Sequence, residues 1–281
     1  MVLSAASFTA NVLLVRALGE FGAVNVWLVA CSRGLIGLVM IGMFYRHEFQ
    51  PTHLWQHRKL IERGVVGGIG VYVTYLTVVK LGAGRAVFIG NTYVIWGALL
   101  AAWVLKERLR PAVLVGGVAA LAGIALLTNV FAAGAHPGIY DLLAVVAALL
   151  SAWVVVTIRQ LHATEHTSTI FAAQCTYALL LCGAPAVLTY TPLPLAAWGV
   201  FLLVGVTAGL GQLAMTRSFR DLPVAEGSLI QMLVPLGTAL GGIVFFHEHF
   251  AVHEMVGAAL ILAGTTYTVV RSATTATAEA E

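Results

Sequence analysis

Charge is what this sequence has least of. Asp, Glu, Lys and Arg make up 10% of its 281 residues, where a soluble domain carries about 25%. So little charge cannot cover a water-facing surface, and a soluble globular fold is excluded. Acidic groups are also missing from the places where they would do chemistry at depth. All twelve Asp and Glu fall in loops, at the edges of apolar runs or in the C-terminal tail, and the nine His are placed the same way. A carboxylate or imidazole relay through a membrane is therefore not expected. Cysteine is scarce too. Cys31, Cys175 and Cys182 all lie inside apolar runs, which suits buried thiols rather than disulfides or a metal cluster.

Other signatures are absent. No Gly-rich loop ending in Gly-Lys exists, which argues against an ATP-driven pump. His253-Glu254 lacks the second His of a zinc-protease helix. The four-residue spacings His249/His253 and His162/His166 read as solvated helix ends. Neither an enzyme, a metal, a cofactor nor a nucleic-acid partner is expected. No basic region precedes Val2, so a cleavable signal peptide is not expected either.

What the chain does have is apolar runs of roughly 20 residues, long enough to cross about 30 Å of hydrocarbon as helices. They are continuous rather than alternating, which excludes barrel strands. Ten spans are expected, at 2–18, 24–45, 62–80, 85–105, 111–130, 138–159, 168–189, 196–217, 224–246 and 252–271. The longest connection, 46–62, suggests an interfacial helix with Trp55 at headgroup level. The polar tail 272–281 reads as disordered.

The basic residues orient the bundle. With the N-terminus inside, Arg46, Arg58, Lys59, Arg63, Lys106, Arg108, Arg110, Arg159, Arg217, Arg220 and Arg271 face the cytoplasm. Only Arg16, Lys80 and Arg85 face outward. This bias places both termini in the cytoplasm.

The chain also repeats itself 141 positions on. Gly64, Gly68 and Gly70 correspond to Gly205, Gly209 and Gly211. Glu107 corresponds to Glu248, Gly116 to Gly257 and Gly123 to Gly264. Residues 1–130 and 138–271 then form two five-span units. An odd number of spans turns the second unit upside down, and inverted repeats are a transporter architecture with a mid-membrane site between them.

The pattern resembles the drug/metabolite transporter superfamily in its EamA-type form. The residues that carry the likeness are Arg33 in the second span, the glycine helices 116–123 and 257–264, and the ends of the fourth and ninth spans. Lys106-Glu107-Arg108 fits the family's basic-acidic-basic ending, with His247-Glu248-His249 as a variant. Pro235 stands thirteen residues before Glu248 as in the family, whereas its counterpart in the first unit is Val94. The resemblance implies an all-α integral membrane protein of ten helices. It further implies a cavity walled by spans three, four, eight and nine with one and six. It is similar also to YddG-type exporters of aromatic and other amino acids.

Polar and aromatic residues inside the spans nominate that cavity: Thr9, Asn11, Tyr72, Tyr75, Asn91, Tyr93, Trp96, Trp153, Gln174, Gln212, Thr216, Ser228 and Gln231. Gly64, Gly68, Gly205 and Gly209 line helix faces where small residues allow close approach or sliding, and Pro235 opens a kink. Arg33 could attract a carboxylate or cap a neighbouring helix, the structural role being the better fit. Glu107 and Glu248 read as structural end markers.

The expected function is secondary transport at the inner membrane. A small neutral or zwitterionic metabolite, such as an amino acid, would leave by alternating access. The protein would act as a monomer or weak homodimer in the bilayer. Sugars or nucleosides as solutes, or a non-transporting membrane enzyme or helper subunit, are the alternatives.

Overall fold

The computed structural model describes residues 1–21, 25–104, 111–127, 138–192, 194–221, 230–231 and 233–278. Backbone in hydrocarbon must satisfy its own hydrogen bonds, and among the described residues the regular elements are all helical. They are α1 (Val2–Glu20), α2 (Val26–Phe44), α3 (His53–Gln56), α4 (Arg58–Leu81), α5 (Ala83–Asn91) and α6 (Tyr93–Val104). There follow α7 (Pro111–Leu127), α8 (Ile139–Leu161), α9 (Thr167–Leu188), α10 (Leu195–Asp221), α11 (Leu233–Phe246) and α12 (Val252–Ala278). Six of them, α1, α2, α4, α8, α9 and α10, are long and apolar enough to cross a membrane, and α7 and α11 are shorter apolar helices. This is a multi-pass membrane protein.

Three expectations change. The span 85–105 is divided at Thr92, where the hydroxyl and the backbone N–H both return to the Ile89 carbonyl and tighten the turn. The connection 46–62 holds only the four-residue α3, because α4 already starts at Arg58. Glu62 and Arg63 therefore belong to the second turn of a spanning helix. Finally, α12 continues to Ala278 where a disordered tail from 272 was expected; the Ala- and Thr-rich stretch holds no helix breaker before that point. The start of the ninth expected span lies outside the described residues.

Local signals fix several helix ends. The Asn25 side-chain oxygen Oδ1 accepts from the N–H groups of Trp27 and Leu28 at 3.0 and 3.3 Å, an N-cap of α2. Its amide donates to the carbonyls of Ala186 and Thr189 and so ties α2 to the end of α9. Asn25→Ala removes all of these at once and is expected to cost about 1–2 kcal/mol, read as a lower melting temperature of the detergent-solubilised protein. Between α4 and α5, Gly82 adopts φ +91, which a side chain would strain.

Contacts set the helix directions. Ser4 meets Gly211 and Asn11 meets Val204, so α1 and α10 are antiparallel. Ile36 packs on Gly205 and Met40 on Gly209, so α2 runs with α10. Gly64 packs on Ala173 and Tyr177, and Gly68 on Ala178, so α4 runs with α9. Gly34 meets Leu179 while Gly37 meets Phe171, which makes α2 and α9 antiparallel. Gly116 faces Gly264 and Gly123 faces Gly257, which makes α7 and α12 antiparallel. Helices 141 positions apart, such as α2 and α9 or α4 and α10, thus run in opposite directions. Three apolar clusters, which include Leu18 and Val78, Leu60 and Phe171, and Ile89 and Ile261, pack the helices together.

Candidate functional site

Between its helices the bundle holds a partly open cavity of about 290 Å³, at the small end of the range for metabolite sites. Its wall draws on α1, α2, α4, α5, α6, α8, α9, α10 and α11. One face of α4 supplies Arg63, Gly67, Gly70, Thr74 and Thr77, at the three- and four-residue spacing of a helical stripe.

Two arginines dominate the polar wall. Arg33 Nη1 donates to the Tyr75 hydroxyl at 3.2 Å and Nη2 to Gln212 Oε1 at 3.4 Å. Its guanidinium also lies 5.9 Å from the Tyr75 ring centroid. The Tyr75 hydroxyl donates onward to Asn11 Oδ1 at 3.1 Å, which leaves its lone pairs for Arg33. The Asn11 amide donates to the Val204 carbonyl at 2.7 Å. This thread joins α2, α4, α1 and α10.

Arg63 is 1% exposed. Its Nη2 donates to Gln174 Oε1 at 2.9 Å, while Nε and Nη1 have no partner. Among the described residues the ion pairs all lie elsewhere, and the described wall contains no Asp or Glu. The cavity is therefore cationic. The residues nominated for the cavity from the sequence were all uncharged, whereas Arg63 lines it and Arg33 faces it as well as bracing neighbouring helices. Its charge alone places Arg63 at a cytoplasmic span end. The sign that would have found it is its register with Gly67, Gly70, Thr74 and Thr77.

Of the nominated residues, Asn11, Tyr75, Asn91, Tyr93, Gln174, Gln212, Gln231 and Pro235 line the cavity. The Asn91 amide donates to Thr265 Oγ1 at 3.4 Å and the Gln231 amide to Ser4 Oγ at 2.9 Å. Four others do not. Thr9 packs against Gly237 of α11. Tyr72 stacks on Trp27 with centroids 3.6 Å apart. Trp96 donates to Thr92 Oγ1 and lines a separate small cleft against α7. Trp153 donates to Glu62 Oε1. In each case the aromatic or hydroxyl side chain found a partner on a neighbouring helix or its own turn. Ser228 and Glu107 lie outside the described residues, and so does the Thr216 side chain. Gly64, Gly68, Gly205 and Gly209 sit at helix crossings, facing Tyr177, Ala178, Ile36 and Met40.

One end of the bundle is tied by charge. Glu248 Oε1 accepts from Ala83 N at 2.8 Å and Oε2 from Gly84 N at 3.2 Å, capping α5. Arg16 Nε reaches the same carboxylate at 3.4 Å. Nearby, Arg85 pairs with Asp141 at 2.9 Å and Glu254 at 3.5 Å. His247 carries φ 51 just before Glu248 and turns the chain so that this carboxylate reaches α5.

Residues 1–129 and 138–270 each match the EamA-like transporter family. The chain belongs to that family. The cavity of this EamA-like chain lies between the two matched units, with Arg33 and Arg63 from the first and Gln174 and Gln212 from the second. It is 27% identical over 191 residues to the pseudopaline exporter CntI of Pseudomonas aeruginosa strain UCBPP-PA14. It is 25% identical over 189 residues to the protein of the same name from strain PAO1. The match covers 66% of this chain and 66% of each relative, just under two thirds. A crystal structure of a protein 19% identical superposes with a TM-score of 0.63 over 95% of this chain and 97% of that one. That likeness concerns the fold.

Proposed function

We propose that this EamA-like transporter exports small zwitterionic metabolites, amino acids and their derivatives among them, by alternating access through the central cavity. The observation that carries the reading is the cavity itself, which is small, mostly apolar with a few polar and charged groups, and bounded by helices of both matched units. The opposed directions of α2 and α9, of α4 and α10 and of α7 and α12 support two inverted five-helix units, 1–130 and 138–271, and ten spans. In such a frame the ends can open in turn about a fixed site. The positive-inside bias supports cytoplasmic termini in the inner membrane. The charged cluster around Glu248 then closes the outer end. Tyr75 and Tyr93 offer ring faces for apolar or aromatic side chains. Because the described lining comes from one chain, a monomer suffices. The relationship to a pseudopaline exporter supports outward movement of a metabolite.

Reconstitution tests this. Proteoliposomes loaded with labelled L-leucine, L-phenylalanine, L-glutamine or L-glutamate are expected to release at least one of them faster than protein-free liposomes. Release of glucose 6-phosphate alone, with none of the amino acids, would overturn the reading.

A further inference from the structure

Among the described residues Arg63 is the most deeply buried charge. A guanidinium does not lose its proton in a protein, so burial cannot be relieved by neutralisation. Arg63 carries five N–H donors, yet its recorded partner is one neutral amide oxygen, that of Gln174. Nε and Nη1 are buried and unmatched. The group is also deliberately accommodated. Its head folds back along α4 onto Gly67, where a side chain of any size would strike Nη1. Gly67 and Arg63 both face the cavity. Arg33, on the adjoining α2, brings a second guanidinium to the same wall, and the partners recorded for it, Tyr75 and Gln212, are neutral.

We propose that Arg63 docks a carboxylate of the transported solute, that Arg33 serves a second one, and that the preferred solutes are therefore acidic, amino-acid-like metabolites with two carboxylates. The proposal rests on the transporter reading above and narrows its substrate class. A carboxylate offers two oxygens to a guanidinium fork, and the described wall has no acid that already occupies it. Two guanidinium groups on separate helices, each with its own glutamine, suit two separate anionic groups better than one phosphate centre.

The test uses a near-isosteric pair that differs by one carboxylate. Full-length protein in detergent is titrated with L-glutamate, L-glutamine, glutarate and inorganic phosphate, and dissociation constants are read from ligand-dependent thermal shifts. L-Glutamate and glutarate are expected to bind at least roughly tenfold more tightly than L-glutamine, the scale of one charge-assisted bond. Arg63→Gln is expected to abolish that difference and Arg63→Lys to retain part of it. Gly67→Ala keeps the charge but displaces the head, and is expected to reduce the preference. It provides the same reading should the Arg63 variants fail to fold. An unchanged glutamate preference in Arg63→Gln, or in Gly67→Ala where the former does not fold, would overturn the proposal. So would binding of phosphate in place of the dicarboxylates. Flux separates this from the parent reading. Release of L-leucine as fast as L-glutamate, insensitive to Arg63→Gln, overturns the carboxylate site and leaves a transporter. Intact glutamate binding with no release of any solute overturns the transporter and leaves the site.

Discussion

Glu248→Gln is expected to loosen the end of the bundle that its carboxylate ties and expose the cavity there. The substitution keeps the shape and one acceptor oxygen, but it removes the charge that faces Arg16 and the amino end of α5. Hydrogen bonds to charged groups are each worth about 1.5–3 kcal/mol, and Glu248 makes three of them from a half-sheltered position. A loss of about 2–4 kcal/mol is the expected net effect. The contacts at stake join different parts of the chain, Arg16 and α5 on one side and the α11–α12 turn on the other. Their loss therefore favours a state in which those parts separate. Thr77 lines the cavity and offers a reporter position. In a background with Cys31, Cys175 and Cys182 replaced by Ser, a Thr77→Cys reporter should react several-fold faster with an impermeant maleimide added outside once Glu248→Gln is present. Unchanged labelling together with an unchanged melting temperature would remove Glu248 from any role in closure.

The second large effect is expected at the crossing of α7 and α12. A Cβ on Gly123 would stand 2.6 Å from the Gly257 carbonyl oxygen and 3.0 Å from the Ile261 nitrogen. Both atoms are backbone, so neither can turn aside. One on Gly264 would meet the Gly116 carbonyl oxygen at 2.6 Å. Between membrane helices, close packing of this kind supplies much of the association, because lipid tails are as apolar as the helices themselves. Gly123→Leu must push the helices apart, at a cost of about 3 kcal/mol or more. Little monodisperse protein should be recovered from detergent extracts. Gly183→Leu is the matched control, since its Cβ would meet nothing within 4 Å. Equal yields from the two variants would show that the crossing is dispensable.

The same crossing shows what the sequence makes legible. Gly116 and Gly257 are visible as a pair 141 positions apart, as are Gly123 and Gly264. In the structure they touch crosswise, Gly116 with Gly264 and Gly123 with Gly257. Correspondence in sequence marks equivalent places rather than contacts, and opposed helix directions make the difference. Span positions were readable because hydrocarbon demands long apolar runs. Helix phase was not, since a helix such as α6 is apolar on every side and its periodicity names no inward face. Trp96 on α6 is for that reason expected in the cavity and is found at a helix contact, and Tyr72 on α4 instead stacks on Trp27. Arg63 was lost for another reason. Basic residues near span ends serve orientation counts, and only the start of α4 at Arg58 moves Arg63 far enough inside to matter.

The break at Thr92 makes α5 and α6 a jointed arm. Its α5 segment is anchored at Gly82 and Glu248, while the backbone at the joint closes short turns from Thr92 N–H to Ile89 and from Ile95 N–H to Thr92. Beyond the joint, α6 holds 12 residues, about 18 Å at ~1.5 Å per residue, and packs on α8 and α7. A rotation of roughly 10° at the joint carries its far end about 3 Å, while Asn91, beside the joint, hardly moves. A bend at this break would turn a small angular change next to the cavity into a displacement as wide as a water molecule at the opposite end of the bundle.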